Sequence, residues 1–107
     1  MQPFVLAVSA LMVMYQPGIN EPRKAFVDCL REAGAKAQTS SVPAADYAKF
    51  AADTCTAQAN ALRTGLVSFD VKNGIKRAQA TTDAQAQIDD YVSMSAEKYG
   101  SRSKPQP

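Results

Sequence analysis

Histidine and tryptophan are both absent from this sequence, and the lack of histidine excludes several kinds of catalytic site. Without histidine there is no Ser-His-Asp or Cys-His nucleophile, and no side chain whose ordinary pKa lies near neutrality. Most zinc sites also use histidine, and two cysteines alone do not supply the ligands of an ordinary one. No phosphate-binding loop, dinucleotide fingerprint, EF-hand loop or nucleophile elbow occurs in the chain. We therefore expect a protein that is not an enzyme and that binds no cofactor and no metal.

An excess of charge of one sign is also missing. Twelve Lys and Arg residues face ten Asp and Glu residues, which leaves a net charge of +2 over 107 residues. Proteins that bind DNA or RNA carry a concentrated basic surface that neutralises phosphates. We therefore expect no nucleic-acid partner, and the length is that of one domain.

One uncharged apolar run stands out, at residues 4–15. Its 12 residues are too few to cross a bilayer as a helix, which takes about 20. Its length is typical of the apolar region of a secretory signal peptide, so residues 1–16 are predicted to be one. No basic residue precedes the run, and no Ala-x-Ala cleavage motif follows it. The alternatives are a buried first element of the domain or a short membrane anchor.

The two cysteines, Cys29 and Cys55, are too far apart for the redox motif CxxC. An even number of cysteines in a small chain behind a signal-like segment favours one disulfide bond and an oxidising compartment, periplasmic or extracellular. The alternative is a pair of buried free thiols, which behave as small apolar side chains.

Strand patterns are nearly absent, and the spacing of apolar residues is that of helices, so the predicted class is all-α. We predict a small three-helix domain within residues 17–100, with helices at about 21–37, 44–72 and 75–99. Asn73 and Gly74 are predicted to end the second helix, with Gly74 in a left-handed conformation. The alternative is one bent helix over residues 44–99 with its kink at Gly74. Residues 101–107 are expected to form a disordered polar tail.

The cysteine spacing supports an antiparallel hairpin of the first two helices. Position 42 lies midway between Cys29 and Cys55, inside the predicted loop at residues 38–43. Both cysteines then stand at the same height along the hairpin, each on the apolar face of its helix. A disulfide brings two Cα atoms closer than most helix pairs allow. The small residues that permit this approach are Ala25, Ala33, Ala51, Ala52 and Ala59.

The sequence contains few candidate functional residues. Lys72, Lys76 and Arg77 flank the Asn73–Gly74 turn and form a candidate patch for an anionic partner. Lys72 would also stabilise the carbonyl end of its helix, whereas Lys76 and Arg77 would not. Asp89 and Asp90 are adjacent on a helix and point about 100° apart, so they are not expected to converge on one substrate atom.

These observations lead to a functional hypothesis and an alternative. The hypothesis is a small exported helical protein without catalytic activity, acting as a binding or accessory module in the periplasm or outside the cell. Its expected partner is another protein of the cell envelope. The alternative is a structural subunit of an envelope or membrane complex that retains residues 4–15, and membrane contact is expected only in that case. A third hypothesis is an apolar small molecule bound between the helices.

Overall fold

The computed structural model of the protein describes residues 17–103, and the regular structure in that range is entirely helical. Four helices follow one another: α1 (Pro17–Thr39), α2 (Ala44–Thr54), α3 (Thr56–Lys72) and α4 (Arg77–Ser103). The predicted all-α class, the hairpin and its disulfide are confirmed. The predicted signal peptide at residues 1–16, and residues 104–107 of the predicted tail, lie outside the described residues.

The first helix starts earlier than its sequence pattern indicates. α1 begins at Pro17 rather than near residue 21, so Pro22 lies inside the helix and not in its first turn. A proline has no N–H to donate, so Pro22 leaves the carbonyl of Gly18 without its helical partner. The freed carbonyl faces α3 at Gly65, whose missing side chain makes room for it. The first turn of α1 is therefore stabilised by this contact between α1 and α3.

The helix predicted over residues 44–72 is interrupted at Cys55. This residue has φ −106° and ψ 25°, outside the helical range, and separates α2 from α3. The hydroxyl of Thr56 donates to the carbonyls of Ala52 and Asp53, both at 3.0 Å. Thr81 and Thr82 make the same kind of bond within the unbroken α4, so such a bond alone does not end a helix. Cys55 differs in that its disulfide ties it to α1, and two helices stand there where the periodicity indicates one.

The boundary between α3 and α4 lies at the predicted Asn73–Gly74 turn. Gly74 has φ +94°, the N–H of Ile75 donates to the carbonyl of Asp70 at 2.9 Å, and the N–H of Gly74 donates to Val71 at 3.1 Å. These are the two hydrogen bonds of a Schellman motif, in which the N–H of Ile75 caps the carbonyl end of α3. The alternative of one bent helix is wrong, and α4 starts at Arg77 instead of residue 75.

The last helix is longer than predicted. α4 continues to Ser103, so residues 101–103 are helical rather than part of a disordered tail. Arg102 lies in the last turn, where a cation interacts favourably with the carbonyl end of the helix, and its guanidinium lies beside Gly34 of α1. Contact with α1 therefore extends the helix beyond its apolar pattern.

Three helix directions define the molecule. The Cys29–Cys55 bond, with Cα atoms 5.9 Å apart, joins α1 to the junction of α2 and α3 in antiparallel orientation. Arg63 and Gln85 are the same number of residues before and after Gly74 in the sequence, and they are hydrogen-bonded at 2.9 Å. α3 and α4 are therefore antiparallel as well. α1 and α4 consequently run in the same direction. Their buried faces form one core with members from all four helices, including Phe26, Leu30, Tyr47, Ala51, Cys55, Leu62, Leu66, Ala84, Ile88 and Tyr99.

Candidate functional site

The predicted basic patch lies at the exposed turn between α3 and α4. Lys72 is the last residue of α3, Lys76 lies in the connection, and Arg77 is the first residue of α4. All three side chains are exposed. Because the Schellman hydrogen bonds fix the backbone of this turn, the Cα atoms of the three basic residues occupy defined positions around Gly74.

Helix electrostatics account for one of these cations. Lys72 lies at the carbonyl end of α3, where positive charge is stabilising. Lys76 and Arg77 lie at the amino end of α4, whose first turn contains no acidic residue. Positive charge at that end is unfavourable, because the backbone N–H groups already give it a partial positive charge. The stability of the helices therefore provides no reason for Lys76 and Arg77.

The structure adds apolar surface to this patch. Phe69 is 40% exposed and Ile75 is 41% exposed. Phe69 continues the apolar face of its helix, three residues after the buried Leu66, yet it lines a surface groove of about 630 Å³ between the start of α1 and the end of α3. Exposed apolar groups clustered together, rather than scattered singly, are typical of interaction sites. We call this surface the turn patch: Phe69, Lys72, Ile75, Lys76 and Arg77.

The remaining walls of this groove come from both helices. Ile19, 5% exposed, forms its buried floor together with the glycine pair at which α1 and α3 meet, and Ser68, Lys72 and Asn73 form its polar edge. The groove is thus apolar at its base and carries a cation at its rim. This arrangement suits a ligand segment that has both an apolar side chain and a negative charge.

The adjacent carboxylates Asp89 and Asp90 line different grooves. Asp89 accepts a hydrogen bond from Gln85 at 2.9 Å, and Gln85 in turn accepts one from Arg63. Asp90 lies on the other side of α4, next to Met94. The two carboxylates therefore do not act on a common point, as their spacing on the helix predicts.

A second basic region, which the sequence pattern does not indicate, lies between α1 and α4. Arg31, Lys98 and Arg102 line a groove of about 250 Å³ whose apolar walls include Val27 and Met94. Sequence periodicity could not identify this region, because Arg31 is about 70 positions from Lys98 and Arg102 in the chain. Only the parallel packing of α1 and α4 brings these residues together.

One carboxylate next to that region is already paired. Asp28 accepts hydrogen bonds from Lys24 at 2.8 Å and from Arg31 at 2.7 Å. These bonds, that of Lys24 first, lower the pKa of Asp28 below its ordinary value, and the bond to Asp28 raises the pKa of Lys24. Asp28 is therefore ionised throughout the neutral range.

Comparison with known proteins gives no relative: no protein-family model matches the chain, and neither a curated protein nor a solved structure matches it significantly. Residues 17–103 contain no group of three or more side chains suited to hold a metal ion. A helix long and apolar enough to cross a bilayer is not found in this part of the chain.

Proposed function

We propose that this protein is a small exported binding or accessory module without catalytic activity, acting in the periplasm or outside the cell. The disulfide between Cys29 and Cys55 supports an address outside the cytosol, because thiols are kept reduced in the cytosol of most cells. A helical chain of 107 residues also gains from such a bond, since its core is small.

The turn patch is the observation that carries the binding role. It places two half-exposed large apolar side chains and three exposed cations within nine consecutive residues, 69–77. We infer that the patch docks an acidic segment of another protein of the cell envelope, with an apolar side chain in the groove beside Phe69. Cations around an apolar centre give such an interface both orientation and affinity.

Export is tested by the intact mass of the protein purified from its host without a reducing agent. We expect a chain that starts near residue 17 and lacks the two thiol hydrogens. A cytosolic protein with residues 1–16 present and two free thiols would contradict the proposed address.

Binding is tested by a photo-crosslinking residue in place of Phe69, introduced in the native host. We expect a crosslink to one envelope protein through an acidic segment, and we expect its yield to fall about tenfold in the K76E/R77E variant. The matched control is R23E/K36E, which changes the net charge equally on α1 and should keep the yield. Equal yields in both variants would show that the turn patch is not the contact.

The second candidate is a structural subunit that retains residues 1–16. It is favoured by the position of the groove, because Gly18 lines the groove and the apolar run at residues 4–15 ends three positions before Gly18 in the sequence. N-terminal sequencing of the native protein distinguishes the two functions, since only the subunit keeps Met1.

A further inference from the structure

The outer face of α4 carries the most exposed large apolar side chain among the described residues. Met94 is 64% exposed, whereas Val27, Phe69 and Ile75 are exposed by 36–41%. Met94 lies between two grooves, one of about 340 Å³ lined with Gln87 and Asp90, and the other containing Lys98. Tyr91 borders both grooves and is itself half-buried. Met94 is therefore the centre of a continuous surface and not an isolated apolar residue.

Two charged residues of α4, one of each sign, stand at equal distances on either side of Met94. Asp90 precedes it by four residues and Lys98 follows it by four, so each lies about 6 Å from Met94 along the helix, on the same face. The ion pairs of the described residues are Lys24–Asp28, Arg31–Asp28 and Lys49–Asp53, so neither Asp90 nor Lys98 is paired with another described residue.

Such a stripe is complementary to itself. When two copies of α4 lie antiparallel on a two-fold axis through Met94, Asp90 of each copy stands at the height of Lys98 of the other. The two Met94 side chains then meet at the axis, flanked by Tyr91 and Val27. A two-fold interface requires this property, because the same surface must serve both copies.

We propose that the Asp90–Met94–Lys98 stripe of α4 docks a second copy of this chain and forms a two-fold symmetric dimer. The contact covers about 18 Å of helix between residues 87 and 98 and is small beside a standard protein interface. The dimer is therefore weak and depends on concentration. The turn patch remains free in it, because Arg77 is about 20 Å from Asp90 along α4.

The same charge pattern argues against the other occupants of this surface. The Lys98 end also carries Arg31 and Arg102, so an anionic bilayer or an acidic protein would be attracted there, but either would be repelled by Asp90 at the other end. A second copy satisfies both ends at once, since it brings a cation to Asp90 and a carboxylate to Lys98.

The test is sedimentation equilibrium of the full chain at concentrations up to about 1 mM. We expect monomers and dimers in a concentration-dependent equilibrium. The single variants D90K and K98D each place like charges at both ends of the interface, so each should raise the dissociation constant about tenfold or more. The double variant D90K/K98D exchanges the two charges and should restore the dimer.

A mixture of the two single variants gives the sharpest result. A D90K copy and a K98D copy are complementary at both ends, so their mixture should form a heterodimer more tightly than either variant dimerises alone. The matched control is D89K, which makes the same charge change on the other side of α4 and should dimerise like the unaltered chain. Circular dichroism verifies that each variant is folded.

Three results would overturn the proposal. They are a chain that stays monomeric over the whole concentration range, self-association that the charge exchanges leave unchanged, and a mixture that forms no heterodimer. Self-association through residues 1–16 would give the second result. Because the turn patch lies elsewhere, none of these results bears on the envelope partner proposed above.

Discussion

At the scale of single residues, two helix ends use the same motif with different residues. α1 ends with the N–H of Val42 donating to the carbonyl of Ala37 at 2.9 Å and that of Ser41 donating to Gln38 at 3.2 Å. This is the Schellman pattern that also ends α3, and Ser41 takes the left-handed conformation, with φ 56°, that Gly74 takes there. A serine in this conformation is strained because of its Cβ, whereas a glycine is not.

Exchanging the two residue types should therefore have opposite effects. We expect Ser41→Gly to raise the free energy of unfolding by about 1 kcal/mol, because the strain is removed. Gly74→Ser should lower it by about 1 kcal/mol or more, although no atom lies within 4 Å of the added Cβ. Urea denaturation of both variants measures the difference. A stabilised Gly74→Ser variant would mean that the backbone at the turn patch is not left-handed.

At the scale of helices, two glycines mark contacts of different kinds. A Cβ on Gly65 would stand 2.5 Å from the backbone oxygen of Gly18, so α1 and α3 approach each other only because a side chain is missing. A Cβ on Gly34 would stand 3.6 Å from the hydroxyl of Tyr47 and 3.7 Å from the guanidinium of Arg102, which are ordinary contact distances. The close approach at Gly65 also forms the base of the groove beside Phe69.

The two alanine variants should accordingly differ in sign. Gly65→Ala should lower the free energy of unfolding by about 1–3 kcal/mol, because backbone must move to admit the methyl group. Gly34→Ala should raise it by up to about 1 kcal/mol, since alanine favours the helix and its methyl group meets its neighbours at ordinary contact distance. Thermal or urea unfolding decides between them, and each variant is the control for the other. Equal effects would show that α1 and α3 are not in close contact at Gly18.

At the scale of the whole molecule, one covalent bond and two tyrosines connect the helices. The hydroxyl of Tyr47 donates to the carbonyl of Leu30 at 3.3 Å and is hydrogen-bonded to Ser95 at 2.7 Å, so α2 contacts both α1 and α4. Its ring stacks on that of Tyr99, with centroids 4.3 Å apart, and the hydroxyl of Tyr99 donates to the carbonyl of Val42. These contacts order the ends of α1 and α4 against the α1–α2 loop.

Reduction of the disulfide should cost the protein much of its stability. The bond joins residues 26 positions apart, and closing a loop of that size stabilises a fold by about 3.5 kcal/mol in the chain-entropy model. We expect the reduced protein to unfold at a clearly lower urea concentration than the oxidised protein. Comparing two redox states of one sequence avoids the cavity that a substitution would leave. Identical midpoints would show that the hairpin does not depend on the bond.

Local sequence determined the features that depend on nearest neighbours. Helical periodicity gave the all-α class, and the equal distances of Cys29 and Cys55 from position 42 gave the hairpin and its disulfide. Gly74 identified the end of α3 because only glycine adopts that conformation without strain. The basic residues of the turn patch were found in the same way, since they adjoin this turn in the chain.

Tertiary structure decided what depends on residues far apart in the chain. The break at Cys55, where the disulfide joins α1, and the early start of α1, where Gly18 contacts α3, involve partners far apart in the chain, to which hydrophobic periodicity is insensitive. Phe69 continues the apolar pattern of α3, yet it is half-exposed and lines a groove between α1 and α3. The parallel packing of α1 and α4 alone assembles the surface around Met94, because a helix pattern states which residues share a face but not which helix lies opposite.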